Sequence, residues 1–261
     1  MNLKEEVKTA KKAALNAGKY LVENFCKSYD LKFKTPKDIT IAEDKESERI
    51  IFSIIKAKYP SYNIFSEETG IINKNSEYTW VVDPLDGTNN YIAGIPYFAV
   101  SIALLKAEEI ILGVVYNPAS NQLFEATKNE GAFLNGMPMQ PSKNKVLEKS
   151  LCSFIQGHTV SQSQNLSDSV KTICNKISTK CRRVITTWAP SLDWCLLAYG
   201  GIDLLISFES ETEDMYAGLL IAKEAGAKII DFNGKSHMTK STKIIAGNNS
   251  IIEKMLNIIG E

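Results

Sequence analysis

A mixed α/β fold is predicted by three observations on this chain. Apolar residues recur at helical spacing over residues 3 to about 28 and again over 42–59, short β-prone runs lie between 79 and 127, and strands alternate with helices from residue 150 onward. There is no internal repeat and no low-complexity tract.

In the first segment Val7, Ala10, Ala14, Leu15, Ala17 and Leu21 recur near helical spacing, uninterrupted by Pro or Gly before Gly18. A turn at Thr35-Pro36-Lys37-Asp38 follows. The second helix starts near Ala42, carries Ile50, Ile51, Ile54 and Ile55 on one face, and ends before Pro60. Thr79-Trp80-Val81-Val82 reads as a short strand stopped by Asp83-Pro84. Residues 98–105 and 110–116 read as a strand pair across a charged turn, and 123–127 as a further strand. Gly131, Gly136, Pro138 and Pro141 then cluster ahead of the polar run 142–149, which places a boundary between halves 1–145 and 146–261. In the second half, strands at 150–156, 183–187, 204–208, 228–231 and 243–246 alternate with helices at 168–177, 192–199, 214–225 and 250–259. Gly226 is a good residue to stop the third of these helices.

With 261 residues, 44% of them hydrophobic, the chain can bury a substantial core. Thirty basic residues balance thirty acidic ones, so neither a nucleic-acid nor a membrane partner is expected. The opening MNLKEEVKTAKKAAL has acidic residues where a signal peptide carries basic ones, and no apolar h-region follows. The longest apolar stretch, near 97–105, is far short of the ~20 residues of a membrane span. A cytoplasmic protein is expected. The five cysteines include no C-x-x-C pair, and His158 and His237 are the only histidines. Structural zinc is therefore unsupported, as is a Ser-His-Asp hydrolase, which would also want G-x-S-x-G. The thiols are expected to be reduced and mostly buried. Neither a P-loop nor a G-x-G-x-x-G fingerprint occurs.

The chemistry is concentrated in Trp80-Val81-Val82-Asp83-Pro84-Leu85-Asp86-Gly87-Thr88-Asn89-Asn90-Tyr91. A strand delivers two carboxylates, Asp83 and Asp86, around a proline that fixes the turn. Gly87 and Thr88 follow at the start of a helical turn, where exposed backbone N–H groups favour phosphate. Carboxylates beside an anion site require cations between them, and oxygen-only donors point to Mg²⁺ or Mn²⁺. The alternative is an Asp-rich turn, since D-P and D-G are common turn dipeptides.

This block resembles the signature of the inositol monophosphatase family, a strand followed by D-P-[ILV]-D-G-[ST] and N-[FY]. Ser66-Glu67-Glu68-Thr69 is similar to the family's G-E-E-S. Lys37-Asp38-Ile39-Thr40-Ile41-Ala42-Glu43-Asp44 is similar to its D-L-V-T-x-x-D, and residues 214–227, ending Glu224-Ala225-Gly226-Ala227, to its W-D-x-A-A-G…E-A-G-G. Together these cover most of the chain.

The resemblance implies a layered α+β sandwich of alternating helix and sheet layers, as in inositol monophosphatases and fructose-1,6-bisphosphatases. The half 1–145 would carry most metal ligands, 146–261 would add Asp214 and the substrate pocket, and the active site would lie between them. The implied reaction is Mg²⁺-dependent hydrolysis of a small phosphorylated metabolite, an inositol monophosphate or a related sugar or nucleotide phosphate, without a covalent intermediate. About two or three Mg²⁺ per subunit, replaceable by Mn²⁺, are implied, with lithium sensitivity and a homodimer. Glu67, Asp83 and the Leu85 carbonyl would hold one metal, and Asp83, Asp86 and Asp214 a second. A third, near Glu67, would carry water. Gly87 and Thr88 would bind phosphate oxygens through backbone N–H groups. The Thr88 hydroxyl, donating to Asp44, would orient the attacking water, and Lys34 would lie on a loop approaching the site.

Some of these residues have structural alternatives. Asp44 is also a first-turn acid favoured by the helix dipole, Asp214 sits where an N-cap would sit amid Glu209, Glu211 and Glu213, and Asp38 suits a loop tether. The chain also departs from the family pattern. Glu213 stands where the family has Trp, and Met215-Tyr216-Ala217-Gly218 follows, so Tyr216 would fill space near the metals. Trp188-Ala189-Pro190-Ser191-Leu192-Asp193 replaces G-[ST]-A-A, and Ser207 replaces a substrate-binding Glu. Ser207 is the substrate-side candidate on that strand, with Glu209 and Glu211 as replacements for the missing contact. A retained metal–phosphate core with an altered pocket is therefore expected. Fructose 1,6-bisphosphate, 3′-phosphoadenosine 5′-phosphate and histidinol phosphate are alternative substrates, since specificity lies outside the metal core. A regulatory or binding protein on the same scaffold, with weak phosphatase activity, is the alternative of another class.

Overall fold

Helices α1 (Lys4–Asn24) and α2 (Ala42–Lys58) pack side by side on one face of an eight-stranded sheet. The computed structural model describes residues 3–35, 38–157, 160, 163–236 and 241–260. Between the two helices lies a small antiparallel pair, β1 (Lys32–Thr35) and β2 (Asp38–Thr40), flanking the expected turn, whose Pro36 and Lys37 lie outside the described residues. The large sheet comprises β3 (Asn63–Ser66), β4 (Gly70–Ile72), β5 (Tyr78–Asp86), β6 (Ala99–Lys106), β7 (Glu109–Asn117), β8 (Gln122–Thr127), β9 (Ala132–Leu134) and β10 (Met137–Pro138). Its order is β10-β9-β8-β7-β6-β5-β3-β4. Among the described residues of this sheet only β3 and β5 run parallel. A short helix, α3 (Thr88–Ile92), leaves the end of β5.

The second sheet has five strands: β11 (Leu151–Gln156), β12 (Arg183–Ile185), β13 (Leu204–Phe208), β14 (Lys228–Asp231) and β15 (Lys243–Gly247), in the order β12-β11-β13-β15-β14. Helices α4 (Gln164–Lys180) and α7 (Asn249–Gly260) cover one face of it. Helices α5 (Pro190–Ala198) and α6 (Thr212–Ala225) are sandwiched between the sheets. The layers alternate helix, sheet, helix, sheet, helix.

Period-two alternation explains this stacking. On β6, Val100, Ile102 and Leu104 face the α1/α2 core, whereas Ala99, Ala103 and Leu105 face the α5/α6 core. On β15, Ile244 and Ala246 face α5/α6 and Ile245 faces α4/α7. Both sheets are buried on both faces, so their strands read as continuous apolar runs. Helix α6 lies close to the large sheet because Gly113 has no side chain; a Cβ there would stand 2.6 Å from the Ala217 carbonyl oxygen. Among the described residues no helix is long and apolar enough to cross a membrane.

The strand expected to stop at Val82 continues to Asp86 through a bulge. Asp83 pairs with Ser101 and Asp86 with Ala99, so the β5 side carries one residue more than β6 across this interval. The irregular stretch accommodates Pro84, which cannot donate to a regular central ladder. It also changes where the side chains point. Residues three apart on a regular strand face opposite sides; the extra residue returns Asp86 to the side of Asp83.

Candidate active site

The end of β5 opens into a cavity of about 300 Å³ lined from both halves of the chain. Glu67, Asp83, Leu85, Asp86, Gly87 and Thr88 line one side; Trp188, Pro190, Asp193, Glu211, Glu213 and Asp214 line the other. The β5 bulge thus brings Asp83 and Asp86 to the wall that Glu67 reaches from the loop after β3. Asp214 faces that wall from the third residue of α6, whose N-cap position is Glu211. The N-cap alternative for Asp214 is thereby removed.

Gly87 takes φ +87°, and a Cβ there would meet Ala189 Cβ and the Tyr97 carbonyl, each at 3.1 Å. Glycine therefore meets both a left-handed backbone and a tight approach from the opposite loop. Thr88 begins α3, and its hydroxyl lies 3.1 Å from Asp44 Oδ1 and 3.0 Å from the Leu85 carbonyl. It has one proton to donate between them.

Helix α2 braces these segments. Asp44, Ser47 and Glu48 continue the buried stripe of Ile51, Phe52 and Ile55. Each of the three holds a different part of the wall. Asp44 accepts from Ile41 N–H at 2.7 Å and from Thr88; this is one half of a capping box, since Ile41 has no acceptor to reciprocate. Ser47 donates to the Pro84 carbonyl at 2.7 Å. Glu48 accepts from the backbone N–H of Thr69 at 3.1 Å and from its hydroxyl, fixing the loop that carries Glu67. Ser47 and Glu48 lie outside the sequence motifs; the signal that marks them is a polar residue inside an apolar helical stripe.

On the opposite side, Asp86 Oδ2 accepts from Ser191 N–H at 3.0 Å and from the Ser191 hydroxyl. Buried Asp193 accepts from Ser153 at 2.6 Å, Thr187 at 2.7 Å and Tyr97 at 3.3 Å. Asn90 donates to the Tyr97 and Thr187 carbonyls at 2.7 and 2.6 Å. Asn90, Ser191 and Asp193 stand within the motifs without an implied role; the structure shows them tying the segment after β5 to α5.

Ser207 corrects the expectation of a substrate contact. It is buried in β13, does not line the cavity, and its hydroxyl meets that of Ser210 at 2.7 Å; Ser210 is the residue that lines the cavity. Glu209 accepts from Thr242 at 2.6 Å and pairs with Lys243, whereas Glu211 lines the cavity. Tyr216 packs against the central core. The side chains of Lys34 and Asp38, and both histidines, lie outside the described residues.

The electrostatics follow from burial among like charges. Burial, then Glu67, Asp214 and Asp86, push Asp83 well above the usual carboxylate range. Burial raises Asp86 to about 8, with neighbouring Asp193 adding to it and Ser191 opposing. Burial and the charges of Asp86, Glu67, Glu211 and Glu213 raise Asp214. Asp44 is raised to about 7 by burial, with Glu67 and Glu68 adding to it and the Ile41 and Thr88 bonds opposing. Among the described residues no Lys, Arg or His lines the cavity.

A metal fits this donor set. Glu67, Asp83, Asp86 and Asp214 bring carboxylate oxygens to one cavity and no Cys or His lines it among the described residues, the ligand chemistry of a hard divalent cation. Among the described residues no three acidic, His or Cys side chains form a ready-made metal cluster. Mg²⁺ does not require one, because it retains waters and commonly takes one or two carboxylates plus substrate phosphate.

Known proteins resemble this chain along nearly its whole length. The inositol monophosphatase family model matches residues 2–259. The chain is 35% identical to an Aquifex aeolicus protein named fructose-1,6-bisphosphatase/inositol-1-monophosphatase, over 98% of this chain and 96% of that one. It is 33% identical to a Pasteurella multocida protein named Nus factor SuhB, over 95% and 93%. The solved structure of the extragenic suppressor protein suhB from Bartonella henselae superposes with a TM-score of 0.90 at 30% identity, covering 97% of this chain and 98% of that one. With a family model matched over residues 2–259 and relatives and solved structures aligned over nearly its full length, the chain belongs to the inositol monophosphatase family, a family of phosphoric monoester hydrolases.

Proposed function

We propose that this protein hydrolyses a small phosphomonoester by Mg²⁺-dependent attack of water, releasing inorganic phosphate. The observation that carries the proposal is the bulge at the end of β5. It sets Asp83 and Asp86 on one wall with Glu67, facing Asp214 across the cavity and beside the N–H groups of Gly87 and Thr88. A carboxylate wall admits a phosphate dianion when cations stand between them.

Glu67, Asp83, Asp86, Asp214 and the Leu85 carbonyl would hold the metals. Bound there, divalent cations supply charge neutralisation for the phosphate and acidity for water. The chain's own groups do the positioning. Gly87 and Thr88 N–H groups hold phosphate oxygens. The Thr88 hydroxyl, fixed by Asp44, orients the water for in-line attack. The division at residue 145 fits this reading, since 1–145 contributes the β5 wall and 146–261 contributes Asp214 and the Trp188 side. Inositol monophosphate, fructose 1,6-bisphosphate, 3′-phosphoadenosine 5′-phosphate and histidinol phosphate are the substrates to be ranked.

The test is phosphate release from a panel of esters: inositol 1-phosphate, fructose 1,6-bisphosphate, 3′-phosphoadenosine 5′-phosphate, histidinol phosphate and glycerol 2-phosphate, each with Mg²⁺ and with EDTA. Release in Mg²⁺ alone is expected. A second reading, a regulatory or binding protein with weak catalysis, is supported by a relative named Nus factor SuhB and by Glu213 in place of the family's Trp. Stabilisation by Mg²⁺ without turnover of any ester would favour it.

Thr88→Ala separates water orientation from metal binding. Turnover is expected to fall by about 10²–10⁴-fold, while the Mg²⁺-induced rise in Tm stays near that of the parent. A fully active Thr88→Ala would remove the role assigned to the Asp44–Thr88 pair.

A further inference from the structure

Trp188 occupies an unusual position for its side chain. It lines the cavity, yet it is 60% exposed, while the other two tryptophans, Trp80 and Trp194, are fully buried. Its backbone takes φ +58°, a conformation that a bulky L-residue adopts only under constraint. Its neighbours supply the constraint. The Thr187 carbonyl accepts from Asn90 and the Thr187 hydroxyl donates to Asp193, while Ala189 is buried and Pro190 opens α5. Glycine would suit the backbone better, and the indole gains little burial in return. Strain of this kind collects at ligand clamps. Trp188 lines the same cavity as the phosphate loop, and the next residue borders that loop, since a Cβ on Gly87 would meet Ala189 Cβ at 3.1 Å. That is where the alcohol portion of a bound ester would lie.

We infer that the Trp188 indole is a stacking wall for the ester's alcohol, and that this site prefers phosphate esters whose alcohol carries a flat aromatic ring. The inference rests on the phosphatase reading and names its substrate class. Pro190 extends the apolar surface beside the indole at the cavity wall. A polyol desolvated against such a surface would lose hydrogen bonds on that side, whereas an aromatic ring loses none there. A sugar ring also presents a flat C–H face, so the test must separate the two.

The experiment compares kcat/KM for 2-phenylethyl phosphate, 2-cyclohexylethyl phosphate and inositol 1-phosphate in the Mg²⁺-loaded parent, Trp188→Ala, Trp188→Phe and Trp188→Gly. The parent is expected to prefer the phenyl over the cyclohexyl ester by about tenfold, the scale of one ring stacked on an aromatic side chain. That ratio should collapse toward one in Trp188→Ala and Trp188→Gly and persist in Trp188→Phe. Trp188→Gly should fold at least as stably as Trp188→Ala, so a lost ratio there is not a folding defect. A parent ratio near one, a ratio indifferent to Trp188→Ala, or a preference for inositol 1-phosphate that depends on Trp188 would each overturn the aromatic class. Loss of a dimer in Trp188→Ala with the ratio intact would reassign the indole to an interface and overturn it too. Binding is read separately with the non-hydrolysable 2-phenylethyl phosphonate, which should change tryptophan fluorescence in the parent and not in Trp188→Phe. If no ester is hydrolysed but this signal appears, the hydrolysis reading falls and the ligand class stands; if neither appears, both fall.

Discussion

Asp83→Asn is expected to leave the fold intact and to lower Mg²⁺-dependent turnover by on the order of 10³-fold. The amide is isosteric, and its oxygen can still accept the Leu85 N–H bond that Asp83 Oδ1 accepts at 3.0 Å. What changes is charge at the most crowded point of the wall, where burial and the carboxylates of Glu67, Asp214 and Asp86 all oppose ionisation of Asp83. A cation offsets that repulsion only by meeting an anion there, and the amide supplies none. The same substitution should therefore raise the Tm of the metal-free protein and shrink the rise caused by Mg²⁺. Phosphate release and thermal melts with and without Mg²⁺ measure both. Full turnover, or a variant that no longer melts cooperatively, would detach Asp83 from this role.

The contrast between local and long-range contacts explains how much was legible in the sequence. The acidic block from Asp83 to Thr88 is contiguous, so its chemistry is visible in residue types alone, and the alternation after residue 150 follows from periodicity. The bulge was not visible. Asp83-Pro84 looked like the end of a strand, and only pairing with Ser101 and Ala99 shows it continuing. The Asn90–Thr187 and Asp86–Ser191 bonds join segments about a hundred residues apart, and no local pattern announces them. Ser207 failed for a different reason. An aligned position identifies a strand residue, but pairing register and packing decide its surroundings, and these place Ser207 inside. Short strands such as β4, β9 and β10 carry too few residues for a period to emerge.

Metal removal should abolish turnover and reverse the usual effect of pH on a carboxylate-rich site. In the metal-free protein Asp44 and Asp86 are raised from 3.8 to about 7 and about 8, with Asp83 and Asp214 also raised. Between about pH 4 and pH 8 the folded chain thus holds more protons than the unfolded one, so stability is present at the acid end and falls as pH rises, by about 1.4 kcal/mol per pH unit for each extra proton. For a chain of this size each kcal/mol corresponds to roughly 2–4 °C in Tm. Glu5, Glu46 and Asp168, held below their ordinary values of 4.5, 4.5 and 3.8 by Lys58, Arg49 and Lys171, contribute their slope at the acid end and little above pH 5.5. In EDTA, Tm is therefore expected to drop by roughly 10 °C or more between pH 5.5 and 8. Mg²⁺ must displace the same protons to bind, so its affinity and the Tm rise it causes should grow over that interval. Melts at the two pH values, with EDTA and with saturating Mg²⁺, give four numbers. A metal-free Tm that rises with pH, or an Mg²⁺ increment equal at both, would mean that these carboxylates do not share one charge-coupled wall.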